Sequence, residues 1–163
     1  MLVLEGGKER SRIPYPVAEE RIGAFLEGDG VFFGYADEVR HLLILDPQAL
    51  TLSPIPLGGV FLRGASDGKH LLVLLTDGRL QVREAGAGKL LRELRVAPEP
   101  FPEVHEDTGG AAYPDIALWP ERNLAYVSLP HLGGVAEVSL GEGRVLRQLK
   151  IGGQPTRLAL VRP

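Results

Sequence analysis

The chain has 163 residues, of which 44% are hydrophobic and 24% charged, enough for one domain with an apolar core. Its net charge of −3 offers no electrostatic case for nucleic-acid binding, and the absence of cysteine excludes disulfides and thiolate chemistry. No apolar run reaches the length of a membrane span, and no signal peptide is visible. We therefore expect a cytoplasmic protein, or a periplasmic one if a signal peptide has been removed.

Short apolar and β-branched runs, separated by turn signals, follow one another along the whole chain, and helical spacing is not sustained anywhere. Residues 1–15 predict two strands of a partial unit. Residues 22–57 predict four strands, the last of which carries Pro54 and Pro56, as suits an edge strand. Residues 60–96 predict four more, with Asp67-Gly68 and Asp77-Gly78 as hairpin turns.

The segment from residue 114 to residue 151 predicts a third set of four strands, and it repeats the end of the second. Residues 88–96 align with residues 143–151, position by position, with identical or chemically close residues. The ends of the first two units, Leu57 and Val96, lie 39 residues apart, which is close to the length of a four-stranded propeller blade. The longer spacing to the third unit places an inserted loop at residues 97–113.

These units predict an all-β fold of the β-propeller type, with four-stranded antiparallel blades and about half a ring per chain. Residues 156–161 predict a closing strand. Because propellers usually need four to eight blades to close, we expect either a homodimer or the missing remainder of a longer propeller chain to complete the ring.

The inserted loop concentrates the groups that could bind a metal. His105, Glu106 and Asp107 follow one another, and imidazole with carboxylates is a ligand set that suits zinc. A solvated acidic loop with an incidental histidine would have the same composition. His131 lies in a hairpin turn and is either a further ligand or, as is commoner for such a residue, a side chain exposed to water.

The other notable side chains favour structural roles. His41 and His70 begin apolar strands, and Trp119 follows an apolar run that would pack between blades. The sequence contains no nucleophile elbow, no phosphate-binding glycine loop and no zinc-protease motif.

Four short stretches carry a resemblance to a known family: residues 46–52, 75–80, 125–130 and 152–155. They resemble YVTN-like bacterial propeller repeats. Their order over about residues 22–161 is similar to the C-terminal half of the periplasmic zinc metallochaperones that accompany zinc ABC transporters. The resemblance implies zinc binding, with His105 in the matching histidine loop, and a metal-transport component as a possible protein partner. The histidine-rich segment and the N-terminal blades of that family have no counterpart here.

The sequence therefore predicts a non-enzymatic binding protein, with His105, Glu106, Asp107 and His131 as candidate zinc ligands. A metal-free scaffold for protein interactions is the first alternative, because propellers serve this role on the same fold. A propeller-type lyase or hydrolase is the second. It would need acid and base groups that converge in the central channel.

Overall fold

A computed structural model describes residues 2–5, 7–14, 21–26, 31–35, 40–46, 48–102 and 113–161. Over these residues the chain forms fourteen β-strands and two 3₁₀ turns, Pro120–Arg122 and Pro130–Leu132, with no α-helix. None of the described segments contains a helix long and apolar enough to cross a membrane. The predicted all-β fold is confirmed.

The strands form one hairpin and three four-stranded antiparallel sheets, each with strands in sequence order. The hairpin pairs β1 (Leu2–Glu5) with β2 (Lys8–Arg12). The first sheet contains β3 (Arg21–Leu26), β4 (Val31–Tyr35), β5 (His41–Asp46) and β6 (Thr51–Pro56). The second contains β7 (Phe61–Ser66), β8 (His70–Leu75), β9 (Arg79–Glu84) and β10 (Leu90–Arg95). The third contains β11 (Ile116–Trp119), β12 (Leu124–Leu129), β13 (Gly134–Ser139) and β14 (Arg144–Lys150).

Strand β8 is buried on both of its faces. Successive side chains of a strand point to opposite sides, so Leu71, Val73 and Leu75 face the first sheet. Leu72 and Leu74 face the third sheet. The apolar side chains that receive them come from both neighbours: Leu42, Ile44 and Leu57 on one side, and Ala125, Val127, Leu129, Ala136 and Val138 on the other. The second sheet is therefore packed face to face between the other two.

The second and third sheets are also aligned from one edge to the other. The first strands of the second and third sheets, β7 and β11, lie against each other, and so do their last strands, β10 and β14. The last strands are mostly exposed, whereas β8 and β13 are mostly buried. Sheets that stack face to face with equivalent strands side by side are propeller blades, and the predicted propeller-type fold is confirmed.

A polar network joins the first and second blades. Gln81, which is buried, donates from Nε2 to the carbonyl oxygen of Leu57 at 2.7 Å. Arg83, also buried, donates to Oε1 of Gln81 at 2.9 Å and to the carbonyl of Pro56 at 3.2 Å. These bonds give partners to the backbone carbonyls of Pro56, at the end of β6, and of Leu57, directly after it.

Residues 156–161, for which the sequence predicts a closing strand, have no regular secondary structure. A strand is defined by its ladder of hydrogen bonds, and no strand of the described residues pairs with this segment. The segment is bonded to the residue before β11 by the backbone N–H of Leu158, which donates to Oδ2 of Asp115 at 3.0 Å.

We predict that Leu72→Ala lowers the free energy of unfolding by about 2–5 kcal/mol, because Leu72 is fully buried at the interface between the second and third blades. Leu146→Ala on the exposed strand β14 is the control and should cost less than about 1 kcal/mol. Urea denaturation measures both. Equal losses would contradict the packing described for β8.

The turn before β8 contains a carboxylate, that of Asp67, whose contribution to the free energy of unfolding depends on pH. Burial of Asp67 opposes its ionisation, but hydrogen bonds from the backbone N–H groups of His70 and Lys69 and from the His70 ring hold its pKa below the ordinary value. The carboxylate therefore stabilises the fold above its unfolded-state pKa of about 3.9, and this contribution is lost as the pH falls through the folded-state pKa. We expect Asp67→Asn to cost about 1–2 kcal/mol at pH 7 and less near pH 3, measured by urea denaturation. A cost independent of pH would contradict this role.

Candidate metal site at His131

The segment after β10 is fixed to the turn between β8 and β9. The backbone N–H groups of Val96 and Ala97 both donate to the carbonyl of Gly78, at 2.9 and 3.3 Å, and the N–H of Phe101 donates to the carbonyl of Thr76 at 2.7 Å. Gly78 has a φ of +87°, and a Cβ there would lie 2.7 Å from the carbonyl oxygen of Ala97. Only glycine at position 78 allows the segment after β10 to lie this close to the turn. This packing directs Phe101 toward the third blade.

His131 lies in the corresponding turn of the third blade, between β12 and β13. The 3₁₀ turn Pro130–Leu132 begins with a proline, whose fixed φ suits the first helical position. It ends at Gly133, which has a φ of +62° and donates its N–H to the carbonyl of Pro130. The turn is thus determined by residues on both sides of His131, and it holds the imidazole at the same edge of the propeller as residues 97–102.

The imidazole of His131 packs against the ring of Phe101. The two ring centroids are 4.6 Å apart, with the planes inclined at 60° in an edge-to-face arrangement. Both ring nitrogens are buried, and neither has a hydrogen-bond partner among the described residues. The sequence favoured a histidine exposed to water at this position. That expectation is wrong, because Phe101 and the turns around it exclude solvent from the ring nitrogens.

Burial also lowers the pKa of His131, because it disfavours the imidazolium form, while the negative charge of Glu99 acts in the opposite direction. The neutral imidazole, which is the form that binds metals, is therefore favoured in the folded protein. A buried polar atom without a partner is costly, by about 1–3 kcal/mol, so the two nitrogens of His131 call for an explanation.

The remaining predicted ligands, His105, Glu106 and Asp107, fall outside the described residues. Within the described segments, no group of three or more histidine, aspartate or glutamate side chains is arranged to hold a metal ion. In the sequence, His105 follows Phe101 by four residues.

His70 and Trp119, for which the sequence favours structural roles, have partners that explain them, and so does Asp115. His70 Nδ1 lies 3.2 Å from Oδ2 of Asp67, which fits its predicted structural role. Asp115 accepts a hydrogen bond from Arg63 at 3.1 Å as well as the one from Leu158. The guanidinium of Arg122 lies 4.5 Å above the centre of the Trp119 ring. None of these contacts involves the ring of His131.

The sequence analysis did not single out Phe101 as part of the site. Phe101 lies thirty positions before His131 and shares no motif with it. The only available signal is its place in the inserted loop.

Comparison with solved structures places the chain among β-propeller proteins. It superimposes on AztD from Citrobacter koseri with a TM-score of 0.75 and 19% identity, covering 95% of this chain and 42% of AztD. An apo form of the same AztD gives a TM-score of 0.74 and 20% identity, over 91% of this chain and 41% of that one. The WD40 repeats of RRP9 give a TM-score of 0.58 and 14% identity, over 82% of this chain and 39% of that one.

These likenesses concern the fold, since the identities are low. The chain spans about two fifths of the length of the AztD chains that it matches. The sequence matches no protein-family profile. No curated protein is detectably similar to it in sequence.

We predict that His131→Leu stabilises the metal-free protein by about 1 kcal/mol, because it removes two buried nitrogens that have no partner in the described part of the chain. The stability of the wild type falls as the pH drops below the ordinary histidine pKa of about 6.5, because the unfolded chain takes up a proton that the folded state resists. The difference between variant and wild type should therefore increase from pH 7.5 to pH 5.5. Denaturation in EDTA measures it, and a destabilised variant at both pH values would show that His131 serves packing alone.

Proposed function

We propose that this protein is a non-enzymatic, zinc-binding propeller protein, with His131 as one ligand and His105, together with Glu106 or Asp107, as the others. The observation that carries the proposal is the pair of buried His131 nitrogens, which have no hydrogen-bond partner among the described residues. A bound metal would use one of these nitrogens, and the neutral imidazole needs no deprotonation first.

The path of the chain supports the shared site. Phe101 contacts His131, and His105, Glu106 and Asp107 follow Phe101 by four to six residues in the same inserted loop. Two imidazoles and one or two carboxylates would give the three or four ligands that zinc prefers, with the carboxylates offsetting its charge. The sequence resemblance to periplasmic zinc metallochaperones and the structural likeness to AztD are consistent with this function.

The comparison with AztD also concerns how the propeller ring is completed. The described residues contain three complete blades, and the chain covers less than half of AztD. We propose that further blades complete the ring, supplied either by a second copy of this chain or by the remainder of a longer one. A metal-transport component remains the proposed recipient of the zinc, and a periplasmic location would follow from that role.

We expect one equivalent of zinc to raise the melting temperature of the wild-type protein, because the metal binds the folded state and not the unfolded chain. His105→Ala and His131→Ala should each abolish this shift. His41→Gln, in a strand of the first blade, is the matched histidine control and should retain it. Differential scanning calorimetry with and without EDTA makes the measurement. No shift in the wild type, or a shift that survives both alanine variants, would overturn the proposed site.

A further inference from the structure

The last strands of the second and third blades, β10 and β14, form one continuous outer surface, here called the outer rim. The two strands lie against each other, and Gln148 of β14 donates from Nε2 to the carbonyl of Val96, just beyond β10, at 3.2 Å. A Cβ on Gly143 would lie 2.7 Å from Cδ of Arg92, so the two strands also meet at the other end. They therefore run side by side in the same direction.

The outer rim is strongly basic in a protein whose net charge is −3. Residues 89–95 and 144–150 contain six of the chain's 18 lysine and arginine residues and a single acidic residue, Glu93. Glu93 is bound to Arg79 on the neighbouring strand, at 3.1 Å, so it does not neutralise the rim. The basic side chains come from both strands: Lys89, Arg92, Arg95, Arg144, Arg147 and Lys150.

Four of these six cations have no carboxylate partner within the described segments. Arg147 pairs with Glu137 at 2.9 Å, and Arg144 pairs with Glu142. Arg92 and Arg95 donate only to backbone carbonyls, those of Leu91 and Asp77. No ion pair is recorded for Lys89 or Lys150 in the same part of the chain. The rim thus carries positive charge that is available to a partner.

Apolar side chains accompany the charges. Five of the eight large hydrophobic residues that are exposed in the described segments lie on these strands or directly after them: Leu90, Leu91, Leu146, Leu149 and Ile151. Each strand is the last of its sheet, so one backbone edge of each is not paired with any described strand. An open edge, exposed leucines and unpaired cations are together what strand addition of a peptide requires.

We propose that the outer rim binds an extended acidic segment of a partner protein, with acidic and apolar residues in alternation. The segment adds as a strand to the open edge of β14. Its carboxylates meet the unpaired cations of both strands, while its apolar side chains cover the exposed leucines. Charge complementarity selects an acidic partner, and the backbone edge selects an extended one. This surface shares no recorded contact with His131 and does not depend on a metal.

The test uses the full chain and a fluorescein-labelled peptide of alternating glutamate and valine, with a lysine and valine peptide for comparison. Fluorescence anisotropy at low ionic strength should show binding of the acidic peptide only, weakening as salt is added. The double variant Lys89→Glu/Lys150→Glu should weaken binding about tenfold or more. Lys8→Glu/Lys69→Glu makes the same change in net charge away from the rim, and should leave the affinity within about twofold.

Hydrogen exchange supplies an independent readout, because an added strand should slow exchange of the β14 amides and leave those of β8 unchanged. Four results would overturn the proposal: no binding of the acidic peptide, equal binding of the lysine peptide, equal weakening by the two double variants, or protection outside the rim. Binding to phosphatidylglycerol vesicles in place of the peptide would also overturn it, and would assign the charges to a membrane surface. Excess EDTA should not change peptide binding.

Discussion

The structure depends on the burial of β8 between two neighbouring sheets. The sequence His70–Leu75 supplies five consecutive apolar side chains, and the alternation of a strand sends three of them to the first blade and two to the third. A sheet packed on one face only would expose half of these side chains to water. Each buried leucine contributes about 2 kcal/mol of transfer free energy, so this arrangement favours stacked blades over separate sheets.

The stacking of the blades also explains the position of the candidate metal site. Equivalent turns of adjacent blades lie next to each other, so the turn at Gly78 and the turn at His131 are neighbours. The segment that leaves β10 is hydrogen-bonded to the first turn and reaches the second through Phe101. A loop inserted between two blades therefore begins beside a histidine of the next blade. This geometry brings residues that are distant in sequence to one edge of the propeller.

The turns and the apolar strands are the features that local sequence predicts well. Asp67-Gly68 and Asp77-Gly78 specify hairpins by their backbone preferences alone, and both turns join strands that pair antiparallel. The state of His131 could not be predicted in this way. A turn histidine is normally exposed, and its burial here results from Phe101, whose position is set by hydrogen bonds between elements that are distant in sequence. The repeat of residues 88–96 at residues 143–151 is visible in the sequence, but the outer rim that the two copies form depends on β10 and β14 lying side by side. Residues 103–112 fall outside the described part, and the roles of His105, Glu106 and Asp107 remain predictions.

The central claim is that His131 is a metal ligand whose partners come from the loop after Phe101. Anomalous diffraction at the zinc absorption edge, from crystals of the full chain grown with one equivalent of zinc, tests it most directly. The account predicts an anomalous peak about 2.0–2.1 Å from one ring nitrogen of His131, with His105 as a second ligand. A zinc peak that lies elsewhere, with the His131 ring still packed on Phe101 and unbound, would contradict it.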